Sequence, residues 1–318
     1  MKPSNGTVDS WQAEFEGKRA LVTGATGFIG RTLCQDLVAL GTEVWGLSRS
    51  GRCPEPPAGV RWLQADLREH RQAASAFAES RPDWVFHLAG EVTGHPGAEL
   101  VLSMLESNVL GTVHLFTTAL DQNCKRILFA SSPEAAGRGT PGSPYAASKL
   151  TADLYAGMFH RLYGLPVICL RPFLTYGAWQ DPSKLIPSVI LSLLQGKAPL
   201  LSSGNRVVDA IHVEDVARGF LAAAVAPSSI IGNSFDLGTG KGISIRELAE
   251  TLARLVGSDR RPQFGALADR PGEQDQVADV GPTQSALRWA PRRTLEEGLR
   301  ETIGWYRKRA QGPVERVP

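Results

Sequence analysis

The chain has 318 residues, 42% hydrophobic and 21% charged, which suits one large globular domain or two coupled ones and excludes a disordered chain. Lys and Arg number 34 against 32 Asp and Glu, and this net charge of +2 supplies no electrostatic drive toward nucleic acid or an anionic membrane. Four scattered cysteines (Cys34, Cys53, Cys124 and Cys169) have neither metal nor disulfide spacing, no apolar run reaches the ~18 residues of a spanning helix, and the polar first 17 residues lack a signal core, so a cytoplasmic enzyme is expected.

In chain order, residues 1–17 read as a flexible tail. Residues 19–23 (RALVT) read as a strand and 28–40 as the helix after it. Further strands are expected at 43–47, 60–64, 84–88, 126–131 and 167–171, and helices at 71–80, 100–122 and 145–163. This alternation predicts a doubly wound α/β sheet with right-handed crossovers. After Pro172 the pattern changes to a Gly/Pro-rich stretch at 176–187, helices near 188–195, 213–224, 244–256 and 295–309, and a strand near 207–212. The expected division is a sheet domain at 18–173, with 206–240 returning to it, and a small mixed lobe from 174–205 and 241–311.

Gly24, Gly27 and Gly30 lie in TGATGFIG, between the first strand and its helix. Glycines so placed permit a tight turn, close approach of a pyrophosphate and close helix–strand packing, with helix N–H groups at Phe28, Ile29 and Gly30 facing the phosphates. An acidic residue ending the second strand would bond the ribose 2′-hydroxyl of NAD. This chain instead has Ser48 and Arg49, then Ser50-Gly51-Arg52, which favours the 2′-phosphate of NADP, although a solvated basic loop reads the same way. Asp66-Leu67 follows the third strand, where the carboxylate can meet adenine or cap a helix. Leu88, Ala89 and Gly90 place small residues beside the cofactor.

Tyr145 and Lys149 are four residues apart on a helix, so both reach one cleft, and the cation is expected to lower the Tyr pKa toward a general acid/base range. Such pairs also arise by chance on amphipathic helices. Ser132, ending the preceding strand, can hold a substrate oxygen.

With HLAG at 87–90, Asn108 in NVLGT, SSPEAAG at 131–137, SPYAASK at 143–149 and RPF at 171–173, residues 18–309 resemble the extended short-chain dehydrogenase/reductase family, in its sugar-nucleotide epimerase/dehydratase branch. The resemblance implies a Rossmann-type domain with a small C-terminal substrate lobe, NADP or NAD as cofactor, and a nucleotide sugar as substrate. It implies Tyr145 as acid/base, Lys149 on the nicotinamide ribose, Ser132 orienting the reacting oxygen, Pro172 beside the cofactor, and a homodimer through the helices that carry Asn108 and Tyr145.

Several residues depart from the family pattern. Leu174 stands where Asn is usual, Ala136 replaces a Tyr, and Val208 replaces a phosphate-binding Arg, for which Arg206 is the candidate substitute; Arg270 in DRPGE matches a second such Arg. Pro133 cannot supply the acid that 4,6-dehydratases carry after the Ser/Thr, while Glu134 falls on the position of their base or is a solvated turn residue. Six histidines show no zinc spacing, and His95 is a candidate in the substrate loop. The expected activity is reduction of a 4-keto sugar nucleotide by NADPH. A 4-epimerase or dehydratase with tightly held cofactor is the alternative, and a non-catalytic NADP(H) sensor the third possibility.

Overall fold

The computed structural model describes residues 8–311 apart from 52, 54, 137–139 and 271. Helix α1 (Val8–Phe15) precedes β1 (Arg19–Thr23), α2 (Phe28–Ala39), β2 (Glu43–Ser48), β3 (Val60–Gln64), α3 (His70–Ser80) and β4 (Trp84–His87). Helix α4 (Leu100–Met104) passes through a π-helical stretch, Leu105–Leu110, into α5 (Gly111–Leu120). Then come β5 (Arg126–Ala130), a 3₁₀ turn at Pro133–Ala136, α6 (Pro144–Tyr163), β6 (Val167–Pro172) and β7 (Leu174–Tyr176). The rest comprises α7 (Leu185–Leu194), β8 (Val207–Val208), β9 (Ala210–His212), α8 (Val213–Val225), β10 (Ser234–Leu237), β11 (Ile243–Ser244), α9 (Ile245–Val256), α10 (Val280–Leu287) and α11 (Leu295–Gln311).

The chain divides into two units. Met1–Pro172, Ala217–Leu237 and Val280–Trp289 make the first, and Phe173–Val216, Gly238–Asp279 and Ala290–Pro318 the second. In the first, seven strands form one sheet in the order β3-β2-β1-β4-β5-β6-β10, with every pairing parallel. Helices cover both faces of such a sheet, so its central strands are apolar throughout. Every residue of β4 (WVFH) and β5 (RILFA) is accordingly buried. Leu21, Val85, Ile127, Phe129, Phe116 and Phe159 join in one core, each large side chain contributing about 2 kcal/mol by its removal from water.

Besides the two-residue strand β11, four elements were not expected. The supposed tail holds α1, because Phe15 is fully buried with its ring centroid 4.7 Å from that of Trp84. The seventh strand, β10, has only four residues. Its neighbour α10 anchors beneath it through the Thr283 hydroxyl, which donates to Asp236 O at 2.8 Å. The fourth element is β7, paired with β9 in the second unit. Residues 206–216 and 238–240, expected with the sheet, belong to the second unit, and 280–289, expected in the lobe, to the first. The stretch Leu100–Leu120 is also long and apolar enough, by length and composition, to span a membrane. Here 39% of its 18-residue apolar window is buried; Thr112, Leu115, Phe116 and Ala119 are buried in the stretch, while Leu102 and Leu105 are exposed.

The second unit packs α7, α9 and α11 around Ile186, Ile190, Leu193, Leu248, Leu252, Leu299 and Ile303. Its helix α9 starts at a reciprocal capping box between Ser244 and Glu247 and ends at left-handed Gly257.

Candidate active site

The carboxyl end of the first unit's sheet carries the site. Thr23 closes β1, and Gly24 turns the chain in the left-handed region (φ +67°). A Cβ at Gly24 would lie 2.8 Å from Ala89 N, and one at Gly30 would collide with Gly24 O, so the turn, α2 and the β4 end sit at distances only glycine allows. Helix α2 begins at Gly27 without a side-chain cap, and Phe28, Ile29 and Gly30 form its first turn. Gly24 and Gly27 border a cleft whose walls include Ser48, Arg49, Asp66, Leu67, Leu88, Ala89 and Gly90. Ser48 is buried and its hydroxyl has no hydrogen-bond partner, an orphan polar atom beside Arg49 on the cleft wall. A glycine cradle for phosphate, a buried hydroxyl and a guanidinium together fit a dinucleotide. Arg52 lies outside the described residues.

Asp66 is not the helix cap, since Glu69 occupies the N-cap position of α3, without a side-chain cap bond. Its carboxylate accepts from Arg68 N at 3.0 Å and from the Arg68 guanidinium at 2.6 Å, and these bonds hold it below the usual carboxylate range. The sequence reading missed Thr26, Leu47, Ala65, Arg68, Glu91 and Ser107 on the cleft wall. For Arg68 a signal existed: Asp-Leu-Arg places a cation two residues after the carboxylate.

Helix α6 positions the proton-transfer pair. Ser143 caps it by accepting from Ala146 N at 3.1 Å, Pro144 opens it and left-handed Gly164 ends it. Tyr145, Lys149 and Ser132 are all buried, with 8%, 4% and 6% of their surfaces exposed. The Ser132 hydroxyl lies beside the phenol of Tyr145, where it favours the ionised phenol. Lys149 Nζ donates to Ala130 O at 2.8 Å and lies 6.0 Å from the Tyr145 ring centroid. Asn108, on the π-helical stretch, donates to Ser148 Oγ at 2.9 Å, and Ser148 donates to Tyr145 O at 2.8 Å. A π-helical turn inserts one extra residue into a helix and commonly aims a side chain into a site.

The sequence model of the NAD dependent epimerase/dehydratase family matches residues 20–238. The chain belongs to this family. It is 30% identical to a probable dTDP-glucose 4,6-dehydratase of Sinorhizobium fredii, with 91% of this chain and 92% of that protein covered. Identity is 31% to a UDP-glucose 4-epimerase of Mycolicibacterium smegmatis, covering 92% of this chain and all of that one. Among solved structures, the UDP-glucose 4-epimerase of Thermotoga maritima, determined with UDP-glucose, superposes with a TM-score of 0.84 at 27% identity over 92% of this chain and 99% of its own. MoeE5, solved with UDP-glucose and NAD, gives 0.83 at 30% identity over 92% of this chain and all of its own.

Within this epimerase/dehydratase site the expected lowering of the Tyr145 pKa is not found. Burial pushes the phenol up to about 12; the Ser132 hydroxyl opposes that rise, and the charges of Glu134 and Asp153 add to it. The same burial brings Lys149 down to about 8, against the opposing attraction of Asp153. Glu134 sits on the 3₁₀ turn, its amide donating to Ser132 Oγ at 3.3 Å and a carboxylate oxygen accepting from Ser143 Oγ at 3.5 Å. Pro172 ends β6 opposite Leu237.

The two expected substrate cations lie in the second unit, joined by one carboxylate. Arg206 Nη1 is 2.9 Å from Glu273 Oε1, and Arg270 Nη1 is 3.8 Å from the same oxygen. Val208 is buried and Arg206 partly buried. His95 is exposed on a loop, its Nδ1 3.7 Å from Glu99. The ligand atoms of His212, Glu214 and Glu301 lie within 4.8 Å of one another, a grouping no spacing rule detects. The Arg293 guanidinium bridges both of those carboxylates and already compensates their charge.

Proposed function

We propose that this protein is a 4-epimerase of a nucleoside diphosphate hexose. The observation that carries the reading is the buried Ser132–Tyr145–Lys149 set, followed at once by Pro133. One phenol and one hydroxyl suffice to take a proton from the C4 oxygen and return it, whereas loss of water across C5–C6 is usually served by a further acid at the position Pro133 fills. The half-complete pair argues against dehydration without excluding it. The reductase expected from the sequence finds no specific support in the relatives above, whose names, where they state an activity, are epimerase or dehydratase.

Gly24 and Gly27 would hold the dinucleotide pyrophosphate, Ser48 and Arg49 the adenosine ribose, and Lys149 the nicotinamide ribose. The bound nicotinamide supplies hydride exchange at carbon. Tyr145 holds and moves the proton at the C4 oxygen, and Ser132 fixes that oxygen by hydrogen bonding. Lys149, placed by Ala130 O, stabilises negative charge developing on the phenol. A phenol that burial holds protonated suits the donor half of the cycle, and the ammonium beside it aids the acceptor half.

The orphan Ser48 hydroxyl next to Arg49, with no carboxylate at the end of β2, supports NADP over NAD. That observation also favours a second reading, an NADPH-dependent 4-ketosugar reductase. We further infer a homodimer. Leu102 and Leu105 on the helix run 100–110, and Leu154 and Leu162 on α6, expose 69%, 50%, 67% and 61% of their surfaces. A second copy of this face would cover them.

Incubation with UDP-glucose and with dTDP-glucose in heavy water separates the readings. Epimerisation gives an isomer of unchanged mass with no deuterium on carbon. A product that has lost one water and carries one solvent deuterium on carbon identifies a dehydratase. Inertness toward both sugars, with turnover of a 4-ketosugar by NADPH, establishes the reductase.

A further inference from the structure

His87 closes β4 with no exposed surface, its ring stacked on Phe129 at a centroid separation of 5.6 Å. Both ring nitrogens are engaged: Nδ1 lies 2.7 Å from Thr23 Oγ1 and Nε2 lies 2.9 Å from Thr112 Oγ1. The neighbours dictate where the ring proton sits. Thr112 has a single hydroxyl proton and donates it to Asn108 O at 2.7 Å. Its oxygen must therefore accept, and His87 Nε2 must donate.

Burial, with the charge of Lys149 nearby, holds the imidazole down at about 3, so Nδ1 is left as an acceptor for the Thr23 hydroxyl. Thr23 Oγ1 in turn accepts the Ala89 amide at 3.2 Å. A single directed chain results, from Ala89 N–H through Thr23, His87 and Thr112 to Asn108 O. Every donor in it has an acceptor. The opposite tautomer would face Thr112 Oγ1 with a bare nitrogen and strand the Thr23 proton, a cost of buried unsatisfied groups that the fold avoids.

We propose that His87, as its Nε2–H tautomer, is a positioning residue of the proton-transfer site that locks the cleft turn at 88–90 to the helical bulge at Asn108. The two ends of the chain are the parts whose separation matters. Ala89 and Gly90 wall the cleft. A Cβ on Gly90 would stand 2.9 Å from Asn108 Oδ1 and 3.6 Å from Lys149 Nζ, so the turn passes the bulge at a distance only glycine allows, with the ammonium next to it. A shift of the turn moves the cleft wall against Lys149. Misplacement by ~1 Å in such a site costs on the order of 100-fold in rate.

The catalytic part of this proposal rests on the reading of the site as a sugar oxidoreductase; the tautomer and the cleft geometry do not. The test begins with the full chain labelled with ¹⁵N-histidine, whose ring nitrogens report protonation directly. At neutral pH we expect His87 to show a protonated Nε2 and a bare, hydrogen-bonded Nδ1; an Nδ1–H ring or an imidazolium overturns the proposal. The second step compares His87→Phe, which keeps the stack and loses both bonds, with His87→Gln, which retains a distal donor toward Thr112. We expect NADPH binding, followed by its fluorescence, to weaken in the Phe variant and to be partly restored in the Gln variant. With UDP-glucose turning over, kcat of the Phe variant falls ~100-fold while KM stays within about threefold. A folded Phe variant with wild-type NADPH affinity and kcat contradicts the positioning role. If no sugar turns over in the wild type, the functional reading fails, and the tautomer and NADPH affinities still decide this one.

Discussion

Asn108 is tied twice to Glu91: its Oδ1 accepts the Glu91 amide at 2.7 Å and its Nδ2 donates to the Glu91 carbonyl at 3.0 Å. Nδ2 donates also to Ser148 Oγ, so one amide joins the loop after β4 to helix α6. Replacing Asn108 by Asp puts a carboxylate oxygen against a carbonyl and removes the donor to Ser148. We expect the Asn108→Asp variant to lose about 3 kcal/mol in urea unfolding and to bind dinucleotide more weakly. Wild-type stability and affinity would show that the double bond contributes little.

This role of Asn108 was not legible in the sequence, and the reason is physical. Its partners lie 17 and 40 residues away, and a π-helical turn leaves no residue signature. By contrast, Gly24 and Gly30 were readable because the constraint is local: any Cβ there strikes neighbouring backbone. Tyr145 and Lys149 were readable because one helical turn separates them. Burial of the phenol, which reverses the expected direction of its pKa, comes from packing that no local pattern reports. The four-residue β10 lacks the length to show periodicity, and α1 was missed because its anchor, Phe15, finds Trp84 far along the chain.

Lys149 is a charge held in a buried place, which costs stability for the sake of the site. Its pKa is lowered from 10.5 to about 8, so the fold favours the neutral amine. The associated stability is full above pH 10.5 and is lost as pH falls toward 8; at pH 7 the whole penalty is present. Lys149→Met is therefore expected to unfold at the same temperature as wild type or a few degrees higher at pH 7, with turnover down at least ~100-fold. The advantage in unfolding temperature should shrink between pH 8 and 10.5. A variant several degrees less stable at pH 7 would contradict this.

Arg126 Nη1 donates to the carbonyls of Ala223, Ala224 and Ala226 at 2.8, 3.1 and 2.6 Å, capping the end of α8 from inside the first unit. A cation at a helix carboxyl end is stabilising both as a donor and through the dipole. Arg126→Met retains the apolar stem and loses the bonds. It should destabilise by about 3 kcal/mol in urea unfolding, without change in KM for the sugar. A loss below about 0.5 kcal/mol would show that water replaces the guanidinium.

The exposed leucines of α4 and α6 make a prediction about assembly. Light scattering should give the mass of two chains, and Leu102→Glu combined with Leu162→Glu should give one chain with secondary structure intact. A monomeric wild type removes the homodimer from the account.

The central claim is that Tyr145 carries the proton at the reacting sugar oxygen. It is tested most directly by Tyr145→Phe, which leaves ring packing in place and deletes only the hydroxyl. We predict that the variant binds NADPH as wild type does and loses at least ~1000-fold in conversion of UDP- or dTDP-glucose. A folded Tyr145→Phe protein that turns over the sugar at the wild-type rate would contradict the account.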